Sequence, residues 1–203
     1  MPTVGTPARL FPKYLLPNVS SLALSYNSLG RGSGICRLRK ALAFPIMCPN
    51  LEEIDLSHTS NMPLDCVEEI SRVCPNLRRL IWNASRSSIS LDGASLAQGA
   101  SLAQTLTEVY VDNSQFRAAN PGFYSADGGD PFLFEFCIQL QRLSIINATW
   151  TAIDSKATQP VSQEKLMKMV RNHPKLRWLR SDLTDENIAM LQQERPEFTF
   201  VSK

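Results

Sequence analysis

Cys48-Pro-Asn-Leu-Glu-Glu-Ile-Asp-Leu-Ser57 is followed, 26 residues further on, by Cys74-Pro-Asn-Leu-Arg-Arg-Leu-Ile-Trp-Asn83. Both begin with Cys-Pro-Asn-Leu and continue with an L-x-x-L-x-L spacing: Leu51, Ile54 and Leu56 in the first, Leu77, Leu80 and Trp82 in the second. Two matched cysteines can carry chemistry or mark an architecture, and the flanking sequence decides between these. The same register recurs at Val19/Leu22/Leu24, Leu106/Val109/Val111 and Leu140/Leu143/Ile145. It returns at Leu176/Leu179, with Ser181 in the third slot, and as a partial copy at Phe198 and Val201.

Proline stands two residues before the anchor in five of seven copies, at Pro17, Pro49, Pro75, Pro174 and Pro196. The anchors at 19, 51, 77, 106, 140, 176 and 198 are 22 to 36 residues apart. A variable period with a fixed register is the pattern of a solenoid whose insertions fall in loops on one side. One insertion is visible as a repeat of Gly-Ala-Ser-Leu-Ala-Gln at 93–98 and 99–104, which lengthens a helix by less than about two turns.

Each copy reads as a short strand followed by a helix. Apolar residues at 66, 67, 70, 73 and 74 form one helical face over Asp65–Cys74. Ser162 is placed to cap a helix over Glu164–Val170, and Thr184 one beginning at Asp185, with acids in the first turn where the helix dipole favours them. The following prolines end these helices. Asp112–Pro131 and Asn147–Pro160 read as long loops. Cys48, Cys74 and Cys137 all stand three residues before an anchor, where the helix meets the core, and a small apolar thiol suits that place. Leu16, Ala103, His173 and Arg195 fill the same slot in other copies, so the slot does not demand sulfur. The cysteines mark an architecture.

A chain of 203 residues, 43% hydrophobic and 20% charged, is sufficient for one globular domain spanning 1–203. A net charge of +2 does not by itself point to a polyanionic partner. Its distribution is uneven: residues 1–51 hold Arg9, Lys13, Arg31, Arg37, Arg39 and Lys40 and no acid. This reads as a solvated basic end, with organelle targeting as the lesser alternative. No apolar run approaches the roughly 18 residues that span a bilayer, and no signal peptide is visible at Met1. A reducing compartment, cytoplasmic or nuclear, is expected, with all five cysteines as thiols. The N-x-S/T triplets at Asn18, Asn83 and Asn147 are then read as structural or fortuitous.

Cys-Pro-Asn-Leu-x-x-[Leu/Ile]-Asp-Leu, followed by a second Cys-Pro-Asn-Leu, resembles the cysteine-containing subtype of leucine-rich repeats found in F-box/LRR proteins. Leu183-Thr-Asp-Glu-Asn-Ile-Ala-Met-Leu191 resembles a helix start of the same family. The likeness runs from about Leu16 to Val201 and is strongest over 48–80. It implies an α/β fold: a curved leucine-rich-repeat array with parallel strands on the concave side and helices on the convex side. It also implies a substrate-recruiting arm of a ubiquitin ligase, with ligase components as partners. The first repeat begins too close to Met1 to leave room for an F-box, so the chain is read as either a fragment or a stand-alone repeat protein.

No catalytic, cofactor or metal site is expected. Zinc sites draw on clustered Cys and His, usually as C-x-x-C pairs, and Cys36, Cys48, Cys66, Cys74 and Cys137 form none. His58 and His173 suggest no nucleophile–base dyad. Gly30-Arg-Gly-Ser-Gly34 lacks the Lys-Ser/Thr end of a phosphate-binding loop and reads as a turn. Arg37, Arg39 and Lys40 lack interleaved aromatics and read as an outer face, so nucleic acid is not an expected partner.

Side chains alternate along a strand. With the anchor, +3 and +5 positions in the core, +2, +4 and +6 face the concave side. Row +2 is Ser21, Glu53, Arg79, Glu108, Arg142, Trp178; row +4 is Ala23, Asp55, Ile81, Tyr110, Ser144, Arg180; row +6 is Ser25, Ser57, Asn83, Asp112, Ile146, Asp182. The bland expectation is a ladder of ion pairs of alternating sign along Glu53, Arg79, Glu108 and Arg142. The functional expectation is a mixed-charge protein-binding strip of Glu53, Asp55, Arg79, Ile81, Glu108, Tyr110, Arg142, Trp178 and Arg180, with Ile81, Tyr110 and Trp178 as apolar anchors. The expected function is a non-enzymatic protein-binding scaffold whose partner the residues do not name. Its alternatives are the substrate-recognition portion of an F-box/LRR ligase subunit and, from another class, a GTPase-regulating or other catalytic repeat protein using an arginine on a loop such as Arg117.

Overall fold

The structure, a computed structural model, describes residues 16–24, 48–59, 70, 74–84, 89–90, 101–117, 137–151 and 158–202. Several expectations lie outside these residues: the 30–34 turn, the basic 37–40 face, Cys36, Cys66, the first copy of the 93–98 duplication, the helix over 65–74 except Ile70 and Cys74, and most of 112–131. Numbered along the chain, the described strands are β1 (Ser21–Ala23), β2 (Glu53–Asp55), β3 (Arg79–Ile81), β4 (Ile89–Ser90), β5 (Glu108–Tyr110), β6 (Gln115–Arg117), β7 (Arg142–Ser144), β8 (Thr149–Thr151), β9 (Thr158–Pro160), β10 (Trp178–Arg180) and β11 (Thr199–Val201). The helices are α1 (Ser101–Thr105), α2 (Gln163–Asn172) and α3 (Asp185–Glu194).

Seven strands form one parallel sheet in the order β1-β2-β3-β5-β7-β10-β11, following the chain, and the sheet does not close into a barrel. The fold class is therefore α/β. The pairing repeats a single local pattern. Up to β10, the +1 carbonyl of each copy accepts from both the +1 and +2 amides of the next. Glu52 O takes Arg78 N at 2.8 Å and Arg79 N at 2.9 Å, Arg78 O takes Thr107 N and Glu108 N, and Thr107 O takes Gln141 N and Arg142 N. Six of the seven strands are preceded by a turn in which the anchor amide donates to the −3 carbonyl, at 3.1 Å for Leu51 to Cys48 and 2.9 Å for Leu140 to Cys137; before β5 the Leu106 amide instead donates to Leu102 O, the −4 carbonyl, at 3.0 Å.

Three columns of side chains explain why the copies stack. The anchors Leu51, Leu77, Leu106, Leu140 and Leu176, the strand centres Ile54, Leu80, Val109, Leu143 and Leu179, and the +5 residues Leu56, Trp82, Val111 and Ile145 are all buried in one cluster. Cys48, Cys74 and Cys137 belong to the same cluster. Burial pushes the thiols of Cys74 and Cys137 up to about 12 and raises that of Cys48, so they pack as neutral apolar groups. At the first edge the columns are only partly buried at Val19, Leu22 and Leu24.

The last copy departs from the expected register. Thr199, Phe200 and Val201 pair with Trp178, Leu179 and Arg180, so Phe200, and not Val201, takes the core-facing slot. Phe198 and Phe200 stand two residues apart on one face and stack at 4.4 Å. The pairing of Phe200 with the buried Leu179 fixes this register, and alternation then turns Thr199 and Val201 to the other face.

A second sheet corrects the reading of each copy as one strand followed by a helix. Strands β4, β6 and β8 run parallel, and β9 pairs antiparallel with β8. Parts of the expected loops at 112–131 and 147–160 are thus strand. Before β4, β6 and β8 the chain turns from the first sheet toward the second at position +7, and the residues at that position, His58, Ala84, Asn113 and Asn147, all have positive φ, between 51° and 59°. The amides of the first three continue the ladder to the next copy: His58 N to Asn83 O, Ala84 N to Asp112 O and Asn113 N to Ile146 O. The left-handed conformation costs a residue with a Cβ roughly 1–2 kcal/mol, less for Asn. Ala84 has no polar side-chain group to offset this, so Ala84→Gly should raise stability by about 0.5–1 kcal/mol, measured as a higher urea midpoint at unchanged slope. A midpoint that falls would show that the backbone there is not held left-handed.

Helices α2 and α3 carry the expected caps: Ser162 Oγ accepts from Lys165 N at 3.3 Å and Thr184 Oγ1 from Asn187 N at 3.4 Å. Both helices run to 10 residues, longer than their starts implied. Among the described residues no helix is long and apolar enough to cross a membrane.

Candidate functional site

The common register places Glu53, Arg79, Glu108, Arg142 and Trp178 side by side in one row, and Asp55, Ile81, Tyr110, Ser144 and Arg180 in the next. Their central neighbours Ile54, Leu80, Val109, Leu143 and Leu179 are buried in the core. Alternation therefore puts all nine expected strip residues on the opposite face of the sheet.

Pairing within the strip is only partly the expected ladder. Arg79 bridges two carboxylates, with Nη1 3.1 Å from Glu53 Oε2 and Nε 3.4 Å from Glu108 Oε2. These carboxylates, together with Tyr110, raise the Arg79 pKa despite its partial desolvation. Ser21 Oγ donates to Glu53 and the Tyr110 hydroxyl donates to Glu108 at 2.9 Å. Arg142 breaks the alternation: its guanidinium lies over the Trp178 indole, 4.7 Å from the ring centroid. Arg79 similarly lies 5.1 Å from the Tyr110 ring centroid.

Tyr110 and Trp178 were expected as exposed anchors; both are half-buried, because each leans on the other and carries an arginine. They stand on β5 and β10, two strand spacings apart with β7 between them and offset by two residues along the strand, so their Cα atoms are about 12 Å apart. Their ring centroids are nevertheless only 6.3 Å apart, with planes tilted at 50°. What permits this is Ser144, the small β7 residue in the intervening place, which is buried. The result is a continuous run of contacts, Arg79–Tyr110–Trp178–Arg142, with a guanidinium over each ring and the two rings tilted against one another.

Row +6 is not the open surface the alternation implied. Ser57 and Ile146 are buried, because the chain is already turning toward the second sheet. Asp112, outside the expected strip, organises this rim. Its carboxylate accepts from Ser144 Oγ at 2.8 and 2.9 Å and from Ile146 N at 2.8 Å, and pairs with Arg180 Nη1 at 3.1 Å. Arg180 is thereby fixed beside the aromatic stack. Asn83 Oδ1 accepts from Asp112 N, and Asp182 Oδ2 accepts from Asn147 N at 2.6 Å. The signal for Asp112 in the sequence was its +6 position in the copy whose +4 neighbour is Tyr110. Which partners it gathers depends on strand adjacency.

Arg117, considered for a catalytic loop, is the last residue of strand β6 in the second sheet. His173 sits in the core slot with Nδ1 2.9 Å from Met169 O. His58 is exposed at a left-handed turn. Among the described residues no group of three or more His, Cys, Asp or Glu side chains is placed to hold a metal ion. Neither a scan against protein-family models nor a search of curated proteins finds a match for this sequence. The chain is an α/β protein with an open seven-stranded parallel sheet and one face lined by paired charges and two touching aromatic rings.

Proposed function

We propose that the chain is a leucine-rich-repeat solenoid that binds a protein partner on the exposed face of its seven-stranded sheet, by shape and charge complementarity and without a covalent step. Sequence order within the sheet, a hydrogen-bonding pattern repeated from copy to copy, and a core of stacked aliphatic columns support the solenoid. The sheet face is then its concave wall. Trp178 carries the functional inference. An indole on the polar side of a sheet, half-exposed and held between Tyr110 and Arg142, is a rigid amphipathic surface of the kind that dominates binding energy at interfaces.

The test is affinity capture with the purified chain as bait, followed by measurement of the recovered partner's affinity. Trp178→Ala should weaken binding about 30-fold, matching a hot-spot loss of about 2 kcal/mol, with the circular dichroism spectrum unchanged. A partner that binds wild type and Trp178→Ala equally removes this face as the interface.

A second reading is substrate recognition for a ubiquitin ligase, as part of an F-box/LRR subunit. It is favoured by the buried thiols of Cys48, Cys74 and Cys137 at equivalent turns, which suit the cysteine slot of that repeat subtype. Ligase adaptor subunits among the captured proteins would support it, and capture of partners without them would count against it.

A further inference from the structure

Most charges on the binding face are neutralised from within. Glu53 and Glu108 share Arg79, and Asp112 takes Arg180. Two charges of the strip are left without an ion-pair partner among the described residues. Asp55 accepts one backbone amide, Ser57 N to Oδ1 at 2.8 Å. Arg142 is exposed, with its guanidinium over the Trp178 ring. A guanidinium stacked on a ring loses little conformational freedom on binding, and its N–H edge stays open to a carboxylate. Internal pairs leave a partner little to gain, so specificity falls to the two residual charges, which have opposite signs.

Their separation is set by the sheet. Asp55 is on β2 and Arg142 on β7, three strand spacings away through β3 and β5. Three spacings of about 4.8 Å and a two-residue offset along the strand place the two Cα atoms about 16 Å apart. An extended chain covers that distance in roughly four to five residues. Between them the row presents Ile81 and Tyr110, an apolar stretch. Nucleic acid is disfavoured here, since Glu53, Asp55, Glu108 and Asp112 outnumber Arg79, Arg142 and Arg180 on the face and repel a polyanion.

We infer that the partner segment is an extended peptide laid across the strands, with a basic residue over Asp55, an acidic residue about four to five positions away over Arg142, and an apolar side chain between them on Ile81 and Tyr110. This rests on the sheet face being the binding surface.

The experiment is selection from a phage-displayed library of randomised dodecamer peptides against the intact 203-residue chain, then fluorescence anisotropy with the selected peptides. The expected result is a shared spacing of Lys or Arg, an apolar residue, and Asp or Glu. Arg142→Glu should weaken these peptides at least about tenfold. The double variant Asp55→Lys with Arg142→Glu should bind a peptide with the two charges exchanged at least about tenfold better than wild type does. Circular dichroism of each variant separates lost binding from lost fold. Peptides that depend on Trp178 but ignore both charge substitutions overturn the charge spacing and leave the binding face standing. A selection that yields no binder, or only binders indifferent to Trp178→Ala, overturns both.

Discussion

Replacing Trp82 by alanine is expected to lower the stability of the fold by about 3–5 kcal/mol, the largest loss available from a single side chain here. Trp82 is among the largest fully buried side chains. It also ties three copies together. Its indole Nε1 donates to Thr59 Oγ1 at 3.2 Å in the copy before, and that hydroxyl donates in turn to Leu56 O at 2.6 Å. Its backbone amide donates to Tyr110 O at 2.7 Å, and its carbonyl accepts from Ser114 Oγ at 2.7 Å in the copy after. Truncation therefore leaves a cavity at a junction where each strand of the sheet pairs only with its neighbours. Trp82→Phe retains most of the packing and removes only the indole donor, so its loss should be about 1–2 kcal/mol. Urea unfolding followed by far-ultraviolet circular dichroism measures both without depending on tryptophan emission. Near-equal stability of Trp82→Ala and wild type would show that the +5 column is not a packed core.

The sheet itself was legible because its code is short. Leu51, Ile54 and Leu56 repeat as Leu77, Leu80 and Trp82, and the aliphatic offsets alone give strand position, facing and neighbour. The second sheet was hidden for two reasons. Strands such as Gln115–Arg117 and Thr149–Thr151 carry one large apolar residue each between polar ones, with no aliphatic triplet of their own to mark a register. The turn leading to them uses non-glycine residues in the left-handed region. Asn113 and Asn147 offered a signal, as asparagine tolerates that conformation; Ala84 offered none. The strip residues were legible one by one, whereas their grouping was not. Ser144 is unremarkable until β7 is known to lie between Tyr110 and Trp178, and only then does its small size explain how the rings meet. The slip in β11 was likewise invisible, since Phe198 and Val201 fit the anchor and +3 positions as letters, and only alternation beside Leu179 selects Phe200.

Arg195→Ala is expected to destabilise the chain by about 3 kcal/mol, an effect large for a side chain beside the edge strand of the sheet. Arg195 occupies the slot filled by Cys48, Cys74 and Cys137 elsewhere, and with arginine there the slot works differently. Its Nη1 donates to Val170 O at 2.6 Å and His173 O at 3.1 Å, and its Nη2 to Pro174 O at 3.3 Å and Leu176 O at 2.7 Å. One guanidinium thus satisfies carbonyls at the C-terminus of α2 and along the turn into β10, groups a helix end leaves without intrahelical partners. The positive charge also complements the helix dipole. The plane of the group lies over Phe198, 5.0 Å from the ring centroid, and its side chain is 15% exposed. Hydrogen bonds from a charged donor contribute roughly 1.5–3 kcal/mol each when buried. Water replaces some of them on truncation, so the net figure is set well below their sum. Arg195→Lys should recover less than half of the loss, because a compact ammonium cannot span four carbonyls in a planar fork. Hydrogen exchange locates the effect: amides of α2 and of Trp178–Arg180 should lose protection in Arg195→Ala, while those of β2 and β3 keep theirs. A loss under about 0.5 kcal/mol, the range of ordinary surface substitutions, would mean that the carbonyls are equally well served by solvent and that strand pairing and the Phe198–Phe200 stack hold the last copy without it.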